Sequence, residues 1–206
     1  MVLPSPLYVI LDPAQAKGRP LIPLLSGLLK GGAAIIQLRA KEMTPNELFQ
    51  FATEVRNHTQ SSRCLLIVND RVDIALASQA DGVHLGQEDL PLRVARKLMG
   101  DKIVGISTHD LTQAVEAERD GADYIGFGPI FGTATKNTGY SARGLAMLKE
   151  IRQAVSLPIV AIGGINENNV AQVWQAGADS AAIISDIMGA RDIEKKVRKI
   201  LSLRPA

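Results

Sequence analysis

The stretch LLIVNDRVDIALASQADGVHLGQED (65–89) contains the pattern that decides the fold. The apolar run LLIV (65–68) ends in Asn69 and Asp70, a helical segment follows, and the next apolar run, GVHL (82–85), ends in the polar sequence GQED. Apolar runs of this length, rich in Val, Ile and Leu rather than alternating with polar residues, are typical of parallel strands covered on both faces. The stretch therefore predicts two parallel strands joined by a helix, each with polar side chains at its carboxyl end.

The same unit recurs along the whole chain at intervals of about 20 to 30 residues, as expected of repeated βα units. The eight apolar runs are LYVIL (7–11), AIIQL (34–38), LLIV (65–68), GVHL (82–85), IVGI (103–106), YIGF (124–127), IVAI (159–162) and AAII (181–184). Eight βα units suffice to close a (β/α)8 barrel, whose chemistry lies at the carboxyl ends of the strands. We therefore predict an α/β protein, a single-domain TIM barrel over residues 1–206.

Helical segments between the runs support this reading. Residues 44–60 open with Thr44, Pro45 and Glu47, which form a capping-box signature. Further helices are predicted at 110–120, 166–176 and 190–203. An open doubly wound sheet is the alternative architecture, but it rarely needs eight strands in 206 residues, and the chain has neither the dinucleotide fingerprint nor a Walker A motif.

Composition excludes several classes of function. Aromatic residues are 4% of the chain and the net charge is +2, which argues against a nucleic-acid partner. No apolar run approaches the roughly 20 residues of a bilayer span, and the amino terminus lacks the basic region of a signal peptide. The single cysteine, Cys64, excludes an internal disulfide and is expected to be a small buried hydrophobe. We expect a cytoplasmic protein with no membrane or nucleic-acid partner.

The sequence QLRAK (37–41) places three polar side chains at alternate positions. On an extended strand Gln37, Arg39 and Lys41 share one face, and Ala40 faces the other way. Two cations beside an amide could bind an oligophosphate. The alternative is that the two cations are only solvent-exposed charges at the rim of the barrel.

Asp70 and Asp89 follow neighbouring apolar runs. Two carboxylates about 5 Å apart repel by roughly 3 kcal/mol at an effective dielectric constant of 20. A divalent cation between them would offset that cost, and oxygen ligands without a His/Cys cluster favour Mg²⁺ over zinc. Alternatively, each aspartate caps the amino terminus of a helix, since Arg71 and Leu90 open helical stretches.

Glycine-rich and hydroxyl-bearing segments follow the remaining strands. The loop after the sixth run carries Thr133, Thr135 and Lys136, which could bind a carboxylate or a phosphate; the alternative is a plain surface loop. Gly163 and Gly164 end the seventh run, and Ser185 ends the eighth, where barrels of this class hold phosphate. Ser107, after IVGI, could add one more donor.

The other polar residues carry no assigned role. We expect His84 to be a satisfied interior residue, His58 to lie on the surface and His109 to lie near the mouth, and none of the three is taken as a general base. Trp174 is expected to pack a helix on the barrel, and the basic run 195–199 is expected to be a solvated helix face.

With these residues in hand, the chain resembles the thiamine-phosphate synthase (thiamine-phosphate pyrophosphorylase) family from about Leu7 to the last helix. The resemblance rests on seven motifs in order: QLRAK (37–41), NDRVDIAL (69–76), GVHLGQED (82–89), GISTH (105–109), GADYIGFGPIFGTATK (121–136), IVAIGGI (159–165) and GAD…IIS (177–185). Ala40 departs from the family by replacing its common acidic residue.

The resemblance implies a transferase of thiamine biosynthesis. It would join 4-amino-2-methyl-5-hydroxymethylpyrimidine diphosphate to 4-methyl-5-(2-phosphoethyl)thiazole, or its 2-carboxy form, and release diphosphate. The reaction is a dissociative substitution assisted by one Mg²⁺ per subunit. The partners are small phosphorylated molecules, and the oligomeric state stays open, with a homodimer as one option.

The resemblance also assigns roles to individual residues. The metal would be held by Asp70 and Asp89. The pyrimidine diphosphate would be bound by Gln37, Arg39, Lys41, Asn69, Ser107 and Lys136, of which Arg39, Lys41, Ser107 and Lys136 are the catalytic set. The thiazole phosphate would be bound by Thr133, Thr135, Gly164, Ile184 and Ser185. Two rivals are a thiazole tautomerase of the same superfamily, which tends to lose the GQED aspartate and the T-x-T-K loop, and a non-catalytic barrel that binds phosphometabolites.

Overall fold

A computed structural model describes residues 2–132 and 139–204. Its eight strands pair in chain order, all in parallel, and β1 pairs with β8 to close the barrel. The strands are β1 Leu7–Leu11, β2 Ile35–Leu38, β3 Leu65–Asn69, β4 Gly82–Leu85, β5 Ile103–Thr108, β6 Tyr124–Phe127, β7 Ile159–Ile162 and β8 Ser180–Ile183. The predicted TIM barrel is confirmed, with each strand within two residues of its apolar run.

Helices follow the strands and form the outer layer. Within the described residues they are α1 Leu21–Lys30, α2 Pro45–Ser61, α3 Val72–Ala77, α4 Leu92–Met99, α5 Leu111–Arg119, α6 Gly144–Ala154, α7 Val170–Gln175, α8 Ser185–Met188 and α9 Ile193–Ser202, with a short 3-10 helix at Pro13–Gln15 after β1. None of these helices combines the length and the hydrophobicity that a bilayer span requires.

Local signals in the sequence explain where some helices begin. Thr44 caps α2, and the predicted capping box with Glu47 is present. The helix predicted from residue 166 begins only at Val170, so that boundary is wrong. Asn166 and Asn169 hydrogen-bond to backbone groups of the preceding loop, which holds those residues in turns instead of a helix.

Apolar side chains fall into two layers. Alternate strand residues point into the barrel, where a small cluster includes Tyr8, Ile67, Tyr124 and Val160. The others pack against the helices in a larger cluster that also contains Trp174, as predicted. Cys64 is buried, as predicted; burial, followed by the charge of Asp81, raises the pKa of its thiol to about 12, so it stays protonated.

Three aspartates repeat one arrangement at the amino-terminal face of the barrel. Each aspartate stands directly before an even-numbered strand (β4, β6 or β8). Its carboxylate accepts a backbone N–H from the preceding strand (β3, β5 or β7) at 2.7–2.8 Å. The same carboxylate pairs with an arginine of the helix that leads into that preceding strand. The sets are Asp81 with Leu66 and Arg56, Asp123 with Val104 and Arg96, and Asp179 with Ile159 and Arg152. Ala34 stands at the corresponding position before β2. We call these three sets the aspartate clamps.

We expect the clamps to contribute to stability. Asp123→Ala leaves the N–H of Val104 without its acceptor and removes the carboxylate that pairs with Arg96, which keeps only its bonds to backbone carbonyls, at a cost of about 1–3 kcal/mol. In a chain of this size that cost lowers Tm by roughly 2–12 °C, which thermal unfolding would measure. Asp101→Ala is the matched control, because Asp101 is exposed. Equal losses in the two variants would contradict a role for the clamps.

Candidate active site

A cavity of about 640 Å³ opens at the carboxyl ends of the strands, and all eight strands contribute to its walls. This is the face at which barrels of this class hold their substrates. The predicted site residues that line it are Gln37, Arg39, Asn69, Ser107, Gly164, Ile184 and Ser185. Thr133, Thr135 and Lys136 lie outside the described residues. The geometry therefore brings seven of the predicted side chains or backbone positions to one chamber.

The end of β2 shows the predicted alternation. Gln37 and Arg39 line the cavity, whereas Ala40 packs in the outer layer against the helices. The guanidinium of Arg39 is held by Asp12, with Nη1 and Oδ2 2.5 Å apart. Asp12 is only 2% exposed, and it also accepts the N–H of Ala14. This buried ion pair fixes the cation at the cavity wall before any ligand arrives.

Asp12 is a residue that our reading of the sequence missed. It follows β1 directly, at the same kind of position as the polar residues after the other strands. That position was a sufficient signal to include it.

Lys41, Asp70 and Asp89 lie together beside the cavity. The Nζ of Lys41 is 3.1 Å from Oδ2 of Asp70, and Asp89 accepts the N–H of Gly86 at 2.6 Å. Burial raises the pKa of Asp89, and the hydrogen bond and charge of Asp70 raise it further, although the bond from Gly86 opposes them. The two acidic side chains are therefore close enough to interact, and like charges oppose ionisation.

The backbone also shows that this position is costly. Asp70 has φ of +64°, in the left-handed region that residues other than glycine rarely adopt. The alternative that the aspartates cap helices is wrong. Arg71 precedes α3 and Pro91 precedes α4, and neither helix has a side-chain cap.

The donor set of this pair fits Mg²⁺. Within residues 2–132 and 139–204, no group of three or more His, Cys, Asp or Glu side chains is placed to hold a metal ion. Asp70 and Asp89 would therefore contribute two carboxylates and leave the other positions to water or substrate phosphate. Mg²⁺ is commonly bound in this way, whereas structural zinc needs a closed set of nitrogen and sulfur ligands.

The loops after β6 and β7 are pressed together at the opposite part of the mouth. The N–H of Ile130 donates to the carbonyl of Ile162 at 2.8 Å, and the N–H of Phe131 donates to Gly163 at 3.0 Å. Gly164 has φ of +63°, and a Cβ there would lie 2.6 Å from the carbonyl oxygen of Gly132. Only glycine fits this position, so its backbone forms part of the cavity wall.

Comparison with known proteins shows the family to which the chain belongs. The sequence profile of the TMP-TENI family, described as thiamine monophosphate synthase, matches residues 7–187. A thiamine-phosphate synthase of Chloroflexus aurantiacus is 46% identical over 197 residues, which are 96% of this chain and 91% of that protein. Another from Moorella thermoacetica is 49% identical over 195 residues, covering 94% and 93% of the two chains. This chain belongs to the thiamine monophosphate synthase family.

A solved structure supports the same assignment. The thiamine phosphate pyrophosphorylase from Pyrococcus furiosus is 40% identical, with a TM-score of 0.89 over 96% of this chain and 94% of that one. A 3-hexulose-6-phosphate synthase has a TM-score of 0.74 at 18% identity, which shows a shared fold alone. Members named thiamine-phosphate synthase are transferases, so membership in the family makes this chain an enzyme of that class.

Lys196 secures the β7–β8 side of the site in this family member. Its Nζ lies 2.8 Å from both Glu167 and Asp186, and Asp186 in turn accepts the N–H of Glu167. Asp186 lines the cavity and Lys196 is 16% exposed, so α9 ties together the loops after β7 and β8. The prediction that the whole basic run 195–199 is a solvated face is therefore wrong at Lys196. A run of charges alone could not reveal which member faces two distant carboxylates.

The three histidines occupy the expected places. His58 is exposed, His84 is buried inside the barrel, and His109 lines the cavity. The Nδ1 of His109 lies 2.6 Å from the carbonyl oxygen of Gly128, and its ring stacks on Tyr140 with centroids 4.0 Å apart. His109 is therefore engaged with the loop after β6.

The acidic pair should destabilise the protein when no cation is bound. We expect Asp89→Asn to raise Tm by roughly 2–4 °C at neutral pH without Mg²⁺, because it removes like-charge repulsion while an amide oxygen can still accept from Gly86. Since the pKa of Asp89 is raised on folding, the wild type loses stability as the pH rises through that pKa. The advantage of the variant should therefore disappear as the pH falls below it.

Thermal unfolding with and without Mg²⁺ completes this test. Mg²⁺ should raise the Tm of the wild type and leave that of Asp89→Asn nearly unchanged. Glu88→Gln is the matched control, because Glu88 is the exposed neighbour and its variant should respond to Mg²⁺ as the wild type does. An equal response of Asp89→Asn would contradict the assigned carboxylate pair.

Proposed function

We propose that this chain is a thiamine-phosphate synthase. It would join 4-amino-2-methyl-5-hydroxymethylpyrimidine diphosphate to 4-methyl-5-(2-phosphoethyl)thiazole, or its 2-carboxy form, giving thiamine phosphate and diphosphate, with CO2 as a further product from the 2-carboxy form. The observation that carries the proposal is the single cavity in which Arg39, Asn69 and Ser107 meet, with Lys41 and the acidic pair at its edge. The cavity has a cationic side, near Arg39 and Lys41, and a side formed after β7 and β8, and each could bind one phosphorylated substrate.

The cationic side would bind the diphosphate. Arg39 is already oriented by Asp12 and needs no reorganisation to meet negative charge that develops as the carbon–oxygen bond breaks. Lys41 lies at the edge beside Asp70, and Lys136, outside the described residues, is assigned to the same group by family resemblance. Mg²⁺ held by Asp70 and Asp89 would neutralise further charge on the diphosphate.

The β7–β8 side would hold the thiazole phosphate. Gly164, Ile184 and Ser185 line this part of the cavity, and Lys196 keeps the two loops that carry them in register. Thr133 and Thr135 are assigned to the same phosphate by resemblance alone. Two substrates held in one chamber react with the advantage of proximity.

The reaction needs no general base. The carbon–oxygen bond breaks with its electron pair going to diphosphate, and the thiazole nitrogen then forms the new carbon–nitrogen bond with its own lone pair. No proton leaves in either step. This suits a site whose buried His84 is bonded to Tyr124 and Ser107 and whose His109 is engaged by Gly128.

The direct experiment combines the purified protein with both substrates and Mg²⁺ and measures thiamine phosphate and diphosphate. Both products should appear, and only with the metal. Asp70→Ala and Asp89→Ala should lower turnover by orders of magnitude while the fold survives. A tautomerase would release no diphosphate and need no metal, and a non-catalytic barrel would bind a substrate without turnover; either result would overturn the proposal.

Arg39 offers a second test on the described residues. Arg39→Met removes a preoriented cation from the cavity wall, and we expect kcat to fall by about 10²–10³, the range seen when one such donor is lost. Arg93→Met is the matched control, because Arg93 pairs with Asp120 on the surface. Near-normal kcat in Arg39→Met would remove Arg39 from the catalytic set.

A further inference from the structure

A continuous chain of hydrogen bonds crosses the floor of the cavity. The Nε2 of Gln37 donates to the hydroxyl of Tyr8 at 3.0 Å, and the hydroxyls of Tyr8 and Tyr124 are 2.8 Å apart. Tyr124 bonds to Nδ1 of His84 at 2.9 Å, and Nε2 of His84 bonds to Oγ of Ser107 at 2.9 Å. The two ends of the chain, Gln37 and Ser107, are residues that line the cavity.

The barrel is built around this chain. Tyr8 is 1% exposed and Tyr124 is fully buried. A Cβ on Gly105 would lie 2.1 Å from the ring of Tyr124, and one on Gly126 would lie 2.9 Å from the ring of His84, so both glycines leave the space that the rings occupy. Burial raises the pKa of both tyrosines, which keeps both hydroxyls protonated.

The orientation of the Gln37 amide sets the direction of the chain. The amide nitrogen of Gln37 can only donate, so Tyr8 accepts from it and passes its own proton to Tyr124. Among the described residues the hydroxyl of Tyr124 bonds to Tyr8 and His84, so its proton goes to Nδ1 of His84.

With this direction, one tautomer of His84 follows. With Nδ1 accepting, the ring is neutral and carries its proton on Nε2, which donates to Ser107. The hydroxyl proton of Ser107 is then directed to another acceptor, and Ser107 lines the cavity. At the other end of the hydrogen-bond chain, Tyr8 bonds to the nitrogen of the Gln37 amide, so Oε1 is the amide atom that can accept from a ligand.

We propose that Tyr8 and Tyr124 are positioning residues that make Gln37 an acceptor and Ser107 a donor toward the cavity. The inference rests on the proposed function for the identity of the ligand. An aminopyrimidine carries an exocyclic amino group, which donates, and ring nitrogens, which accept. One acceptor and one donor at fixed places on the wall therefore select the pyrimidine by its hydrogen-bond pattern.

The opposite arrangement is also chemically complete. If the Gln37 amide were turned over, its oxygen would accept from Tyr8, every bond in the chain would reverse, and His84 would carry its proton on Nδ1. Ser107 would then donate to His84 and present only lone pairs to the cavity. The tautomer of His84 therefore reports the direction of the whole chain.

The first measurement is ¹⁵N NMR of histidine-labelled protein without substrate at neutral pH, with the His58 and His109 signals assigned by H58Q and H109Q. We expect His84 as the neutral Nε2–H tautomer. An Nδ1–H tautomer in the wild type would overturn the proposal whether or not the protein makes thiamine phosphate.

The second measurement separates positioning from a merely structural role. Tyr8→Phe and Tyr124→Phe should each raise KM for the pyrimidine diphosphate by about tenfold, the loss expected for a misaligned hydrogen bond, and leave KM for the thiazole phosphate unchanged. Thr108→Val is the matched control: it removes a buried hydroxyl on the other face of β5, bonded to the carbonyl of Gly126.

Thr108→Val should alter neither constant. Equal rises in both KM values, or a rise in the control as large as in Tyr124→Phe, would overturn the proposal.

Discussion

The pairing of β1 with β8 is the constraint on which the rest of the structure depends. It closes a sheet of parallel strands, and closure brings eight carboxyl ends around one mouth. Residues as distant in sequence as Asp12, Gln37, Ser107 and Asp186 become neighbours only for that reason. Closure also turns alternate side chains inward, so that the interior can hold a polar chain between two cavity residues without contact with the outer layer.

Stability and chemistry are divided between the two faces of the barrel. At the amino-terminal face the aspartate clamps pair every carboxylate with a backbone N–H and an arginine. At the other face Asp70 and Asp89 oppose each other, and Asp70 has a left-handed backbone. A folded chain tolerates such a local cost where a ligand relieves it and where the remaining structure is well satisfied. Asp70 and Asp89, the acids that we propose to bind the metal, therefore differ from the clamp aspartates in facing another carboxylate.

The sequence predicted the fold well because its signals were local. Apolar runs, the Thr44 capping box and the glycine positions each act within a few residues, and the strand ends then follow from parallel closure. Period-two alternation placed Gln37 and Arg39 inside and Ala40 outside for the same reason. The start of α7 was misplaced because two asparagine side chains compete with the helix for backbone groups. The partners of Lys196, and the bonds that join Tyr8 and Tyr124 to His84, depend on contacts between distant elements, which no spacing along the chain reveals.

The clamps recur at β3–β4, β5–β6 and β7–β8 but not at β1–β2, where Ala34 replaces the aspartate. One pair of neighbouring strands, β1 and β2, therefore lacks a clamp. On its other side, toward β8, the start of β1 is held by further hydrogen bonds: the carbonyl of Pro6 accepts from Trp174 and Ala181, and Arg204 donates to the carbonyl of Asp179. Transient opening of the ring should therefore begin between β1 and β2, and it would expose the backbone N–H and C=O groups of their facing edges, which can pair with another chain and start aggregation.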